Sequence, residues 1–96
     1  MAYRLTRKAE GDLTEVYLAG VRDFGVAQAD TYLADLLNTF DILADNPLLA
    51  RLREEFHPAV RIHPHGAHII IYRDIEADIL IIRIRHGRED WQRLAD

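Results

Sequence analysis

The chain has 96 residues, a formal net charge of −4, and neither cysteine nor serine, which excludes disulfides, thiolate chemistry and a seryl nucleophile. With 49% hydrophobic and 29% charged residues, five Gly and three Pro, it has the composition of one folded domain that buries roughly two thirds of its unfolded surface. The acidic excess is confined to residues 1–60, and acids and bases balance in residues 61–96. Such a field favours a specific protein partner or a focused anion site over general phosphate affinity.

In chain order, Ala2 to Thr6 alternates Tyr3 and Leu5 against Arg4 and predicts a short strand pairing with part of a later hairpin. Thr6 is placed as the N-cap of a helix over Arg7 to Phe24. Ala9, Leu13, Val16, Tyr17, Gly20 and Phe24 form its apolar stripe, with Leu18 and Val21 off it. Gly25 supplies a stop. A second helix from Val26 to Asp45 carries a broad stripe of Ala29, Tyr32, Leu33, Leu36, Leu37, Phe40, Leu43 and Ala44. Its other side holds Asp30, Asp35, Asn38, Asp41 and Asp45, read as a solvated face.

Asn46-Pro47 ends this helix, and Leu48 to Ala59 reads as a partly packed loop with at most one helical turn. Val60 to His63 alternates as a strand, and Pro64-His65-Gly66 signals a turn. Two β-branched runs follow, Ile69 to Tyr72 and Ile79 to Ile84, separated by Arg73 to Asp78, which is a hairpin pattern. Leu80, Ile82 and Ile84 fall on one face by strict alternation, and the other face turns basic at Arg83 and Arg85. Arg88 to Ala95 has the pattern of a short terminal helix carrying Trp91 and Leu94 inward. The expected fold is α+β, in the order β-α-α-β-β-β, with a helical hairpin on one face of a mostly antiparallel sheet. The sheet's other face is expected to be open.

Two clusters of residues carry candidate chemistry. His63, His65 and His68 lie within six residues and are imidazoles of the kind that bind zinc or nickel. No acid lies between them and no ligand spacing matches, so a structural role is the simpler reading. Arg61, Arg73, Arg83, Arg85 and Arg88, with His86, gather near the strand ends and suit phosphate binding or stabilisation of developing negative charge. Ordinary pairing with Asp74, Asp78, Glu89 and Asp90 accounts for them equally simply.

The sequence resembles the RelE/ParE superfamily of toxins from bacterial toxin–antitoxin pairs, and within it the ParE branch. The resemblance spans almost the whole chain. It rests on Tyr3-Arg4-Leu5-Thr6 leading into Ala9-Glu10-Gly11-Asp12-Leu13, on Asn46-Pro47, on Val60-Arg61, and on Ile71-Tyr72-Arg73 followed by Ile82-Arg83-Ile84-Arg85-His86-Gly87-Arg88. It implies a toxin neutralised by a ParD-like antitoxin whose C-terminal segment wraps the helical hairpin and sheet. ParE-type toxins act on DNA gyrase, whereas RelE-type relatives cut mRNA on the ribosome with a tyrosine or equivalent acid–base group in the tail.

Here the tail Arg88-Glu89-Asp90-Trp91-Gln92-Arg93-Leu94 holds neither tyrosine nor histidine, which argues against in-line RNA cleavage. Leu48-Leu49-Ala50 also departs from the glycine that often follows Asn-Pro in the family. The expectation is therefore a non-enzymatic gyrase inhibitor, with Arg83, Arg85, Arg88 and Trp91 on the toxic surface and Leu13, Tyr17, Leu18 and Val21 contacting the antitoxin. No metal, cofactor, direct DNA binding or membrane association is expected, and the location is cytoplasmic. The alternatives are a ribosome-dependent mRNA endonuclease using the arginines and His86, or a non-toxic binding module derived from such a toxin.

Overall fold

The computed structural model describes residues 2–88. Strand β1 (Tyr3–Leu5) leads into helices α1 (Arg7–Phe24) and α2 (Val26–Asp45), then a 3-10 turn at Pro47–Leu49, and strands β2 (Leu52–Arg53), β3 (Val60–His65), β4 (His68–Ile75) and β5 (Asp78–His86). The sheet order is β1-β5-β4-β3-β2. Among the described residues only the β1–β5 pairing, Tyr3 opposite Ile79 through Leu5 opposite Ile81, is parallel. No described helix is long and apolar enough to cross a membrane.

Local chemistry explains the boundaries. Thr6 Oγ accepts the Ala9 N–H at 3.0 Å, capping α1 as the sequence predicts. Gly25 separates the helices at φ +91°, where a side chain would be strained. Its N–H closes α1 on Val21 O, and its own carbonyl accepts the Ala29 N–H that opens α2. The helices approach closely at Gly20, where a Cβ would lie 3.3 Å from the Ala29 Cβ.

The main core lies between the helical hairpin and one sheet face: Ala9, Leu36, Phe40, Leu43 and Ala44 against Ile70, Tyr72, Ile79, Ile81 and Ile84. Each large apolar side chain fully buried here contributes on the order of 1.5–3 kcal/mol. The Tyr72 hydroxyl is satisfied by Pro47 O at 2.8 Å, which fastens the end of α2 to the middle of the sheet.

Four expectations are revised. The sheet has a fifth strand, β2, inside the segment expected as loop. Strand β3 runs through Pro64 to His65; proline is tolerated there because β2 pairs only with Val60 and Arg61, leaving the rest of that edge without a ladder. The alternation in β5 breaks at a bulge: Tyr72 faces Ile81 but Ile71 faces Arg83, so Ile82 is the extra residue. Ile79, Ile81 and Ile84 consequently face the helices, while Ile82 packs on the far side. That far side is not open, because Phe56, Val60, Ile69 and Ile71 form a second cluster there with Ile62 and Ile82. The expected terminal helix, with Trp91 and Leu94, lies outside the described residues.

Candidate functional site

The end of β5 is organised by one carboxylate. Strand β1 stops at Leu5, so beyond Ile81 the strand has no ladder partner on that side among the described residues, and side chains from the start of α1 replace one. Thr6 donates its hydroxyl to Ile82 O at 2.7 Å. Asp12 Oδ2 accepts the Ile84 N–H at 3.0 Å. Asp12 also accepts Arg83 Nε at 2.8 Å, Arg83 Nη2 at 3.0 Å and Arg85 Nη1 at 3.1 Å.

Arg83 and Arg85 stand opposite Ile71 and Ile69 on the far face of the sheet, so their guanidinium groups reach round this edge to meet Asp12. The Asp12 residue is 7% exposed, and the two arginine side chains 14% and 20%. Burial pushes the Asp12 carboxyl up. The hydrogen bonds from Arg83 and the Ile84 N–H, with the charges of Arg83 and Arg85, outweigh it and hold the group below the ordinary carboxylate value.

Beside this rim, under the tip of the helical hairpin, lies a pocket of about 440 Å³. Val16, Tyr17, Gly20 and Phe24 of α1 and Ala29, Tyr32 and Leu33 of α2 wall it, and His68 and His86 form its floor. The two histidines are directly opposed in the β4–β5 ladder, with ring centroids 5.5 Å apart, edge to face. Both also line a smaller adjoining cleft with Asp12, Glu15 and Arg85. Tyr32 Oη lies 3.0 Å from His65 O, to which it donates, and 2.7 Å from His68 Nδ1. Burial raises the Tyr32 pKa, against an opposing hydrogen bond from the Ala67 backbone.

The predicted site residues are distributed unevenly over these features. Arg83 and Arg85 come together on Asp12. Arg88 is exposed at the end of the described chain, its N–H on His86 Nδ1 at 3.2 Å, and Trp91 lies beyond it. Arg61 does not join them: it is buried at the other end of the sheet, bonded to Asp74 and to Ala50 O. Of the four residues assigned to the antitoxin, Tyr17 lines the pocket and donates to Asp30 at 2.6 Å, and Leu18 is 59% exposed. Leu13 packs half-buried against the core and Val21 is half-buried.

The sequence reading gave Asp12 no site role, took Tyr32 only as part of the apolar stripe of α2, and weighed His68 only as one of three histidines of a metal cluster. A signal existed for Asp12, which falls three residues after Ala9 and one before Leu13, on the inward side of the helix. Among the described residues no three potential metal ligands converge.

The family description "ParE toxin of type II toxin-antitoxin system, parDE" matches residues 3–91. The chain belongs to the ParE toxin family. Its relatives include Toxin ParE1 of Mycobacterium tuberculosis, 34% identical over 92 residues spanning 95% of this chain and 94% of that protein. Toxin ParE1 of Caulobacter vibrioides is 31% identical over 84 residues, 88% of this chain and 86% of that one. A solved structure described as the chromosomal ParDE TA system from P. aeruginosa superimposes with a TM-score of 0.74 at 25% identity, covering 90% of this chain and 95% of its own. For a ParE toxin, the polar rim and the apolar pocket are two chemically distinct surfaces that share the strip His68–His86.

Proposed function

We propose that this ParE toxin is held inactive by a ParD-like antitoxin and, when released, inhibits DNA gyrase by binding it without cleaving a substrate. The observation that carries the target assignment is the engagement of Arg83 and Arg85 by Asp12. A nuclease rim needs its guanidinium charge directed at phosphate. Here one buried carboxylate offsets one of the two guanidinium charges and holds both groups in place, leaving a hydrogen-bonded surface suited to a protein partner. The antitoxin assignment is supported by the family match, by the ParDE neighbour and by the apolar cleft between the helices.

Expressing the chain alone in bacteria separates the readings. Growth arrest accompanied by a DNA-damage response and loss of plasmid supercoiling is the expected outcome. Arrest with mRNA cut at fixed codon positions would replace gyrase by the ribosome as target, and normal growth would remove toxicity from the account.

A further inference from the structure

Phe24 ends α1 and Val26 opens α2, and both are exposed, at 66% and 57%, where they flank the Gly25 turn. Large apolar side chains left exposed beside a pocket mark a binding surface. The pocket that Phe24 lines presents five aromatic rings, those of Tyr17, Phe24, Tyr32, His68 and His86. Its volume of about 440 Å³ is on the scale of one bulky side chain and the backbone that carries it.

The walls are held before any partner arrives. Tyr17 Oη donates to Asp30 Oδ1 at 2.6 Å, which ties α1 to α2 beside the mouth. Tyr32 Oη donates to His65 O at 3.0 Å, which ties α2 to the strands of the floor. Gly20 lets α1 close on Ala29, where a Cβ would lie 3.3 Å from the Ala29 Cβ. A site formed in advance loses little freedom on binding. The occupant that matches it best is another aromatic side chain, which meets the surrounding rings edge to face and has few rotamers to lose.

The helical side of the mouth is acidic. Glu15, Asp23 and Asp30 outnumber Arg22 there, and Arg22 is paired with Asp23 at 3.1 Å. Helix α2 contributes four aspartates and neither lysine nor arginine. Arg85 and Arg88 belong to the opposite side, at the end of β5. A cation beside the anchor therefore meets opposite charge over the helices and not over the strand, and this orients the bound segment.

We propose that this pocket is the specificity site for the antitoxin: it receives one aromatic side chain, with a lysine or arginine of the same segment lying over the acidic helical side. The inference rests on the antitoxin reading and adds the chemistry by which the cognate partner is selected. A segment without the ring leaves the pocket unfilled, and one with an acidic flank meets like charge.

The test uses the full-length toxin and the antitoxin encoded in the adjoining reading frame, purified separately, with the dissociation constant as readout. Phe24→Ala removes an exposed ring and leaves the core intact, and Ala19→Leu narrows the pocket from the same helix. Each should raise the dissociation constant at least about tenfold. One aromatic residue of the antitoxin, changed to Ala, should do the same, and its effect should shrink when measured against Phe24→Ala toxin, because both changes remove one shared contact. Asp23→Lys should weaken binding, and reversing the charge of the basic residue beside the anchor should recover part of the loss. The Phe24→Ala toxin should still inhibit gyrase.

Unchanged affinity in both Phe24→Ala and Ala19→Leu, or full additivity of Phe24→Ala with every aromatic change in the antitoxin, would overturn the anchor. An Asp23→Lys toxin that binds as well as wild type would overturn the basic flank. Loss of gyrase inhibition by Phe24→Ala with antitoxin affinity retained would assign the pocket to the target. Absence of binding between the wild-type proteins would instead remove the antitoxin reading on which the inference depends.

Discussion

Asp12 illustrates how one side chain can do the work of a strand. It terminates the open edge of β5, anchors α1 to the sheet and holds two arginines. Removing one member of a buried ion pair leaves charge without compensation, so Asp12→Ala should destabilise the protein by about 3 kcal/mol in urea unfolding at pH 7. Because the folded-state pKa is depressed, this stabilisation is present above the ordinary carboxylate value and is lost as pH falls through the lower folded value. The stability gap between wild type and Asp12→Asn should therefore narrow between pH 5 and pH 2; a constant gap would mean that the ionised carboxylate is not its source. At Tyr72, burial raises the phenol pKa, and the hydroxyl serves Pro47 O. Tyr72→Phe should cost about 1 kcal/mol, measured in the same way.

The elements themselves were largely legible because each carries a local signal: the Thr6 cap, the 3.6-residue stripe of α2, the Asn46-Pro47 stop and the β-branched runs of β4 and β5. What was not legible depended on contacts distant in sequence. The bulge at Ile82 is a property of how β5 registers against β4, and nothing in Ile79 to Ile84 distinguishes one isoleucine from the next. Strand β2 is two residues long and exists only because β3 lies beside it. Phe24 continues the apolar stripe of α1 yet is exposed, since a pocket and not a strand faces the hairpin tip. The same limit applies to the site. The arginines were visible as a cluster, but their partner lies 71 to 73 residues away on α1.

Two glycines test the packing of elements. A Cβ at Gly66, already at φ +56°, would lie 2.7 Å from Tyr32 Oη. Gly66→Ala should lose about 1–3 kcal/mol of stability and displace Tyr32 from His65 O, read as a change in the His68 ring signals. Gly20→Val should push α1 off Ala29 and cost a similar ~1–3 kcal/mol, whereas Gly11→Ala, where a Cβ meets nothing within 4 Å, should be neutral or mildly stabilising.

At the scale of the whole molecule, the fold keeps Arg61 apart from Arg83 and Arg85. Arg61 is held by Asp74 at one end of the sheet, and Arg83 and Arg85 by Asp12 at the other. Together with the net charge of −4, this fits the proposed recognition of a protein better than that of phosphate. In the proposed function the antitoxin binds in the pocket beside the rim, next to the end of β5, and the shared strip His68–His86 links the two surfaces. On this account neutralisation and toxicity compete for neighbouring ground.

The most direct test is a supercoiling assay with purified DNA gyrase, relaxed plasmid and ATP, titrated with the isolated toxin and repeated after addition of antitoxin. The account predicts dose-dependent loss of supercoiling that antitoxin reverses, with no cleavage of ribosome-bound mRNA at the same toxin concentrations. Gyrase that remains fully active at saturating toxin would contradict it.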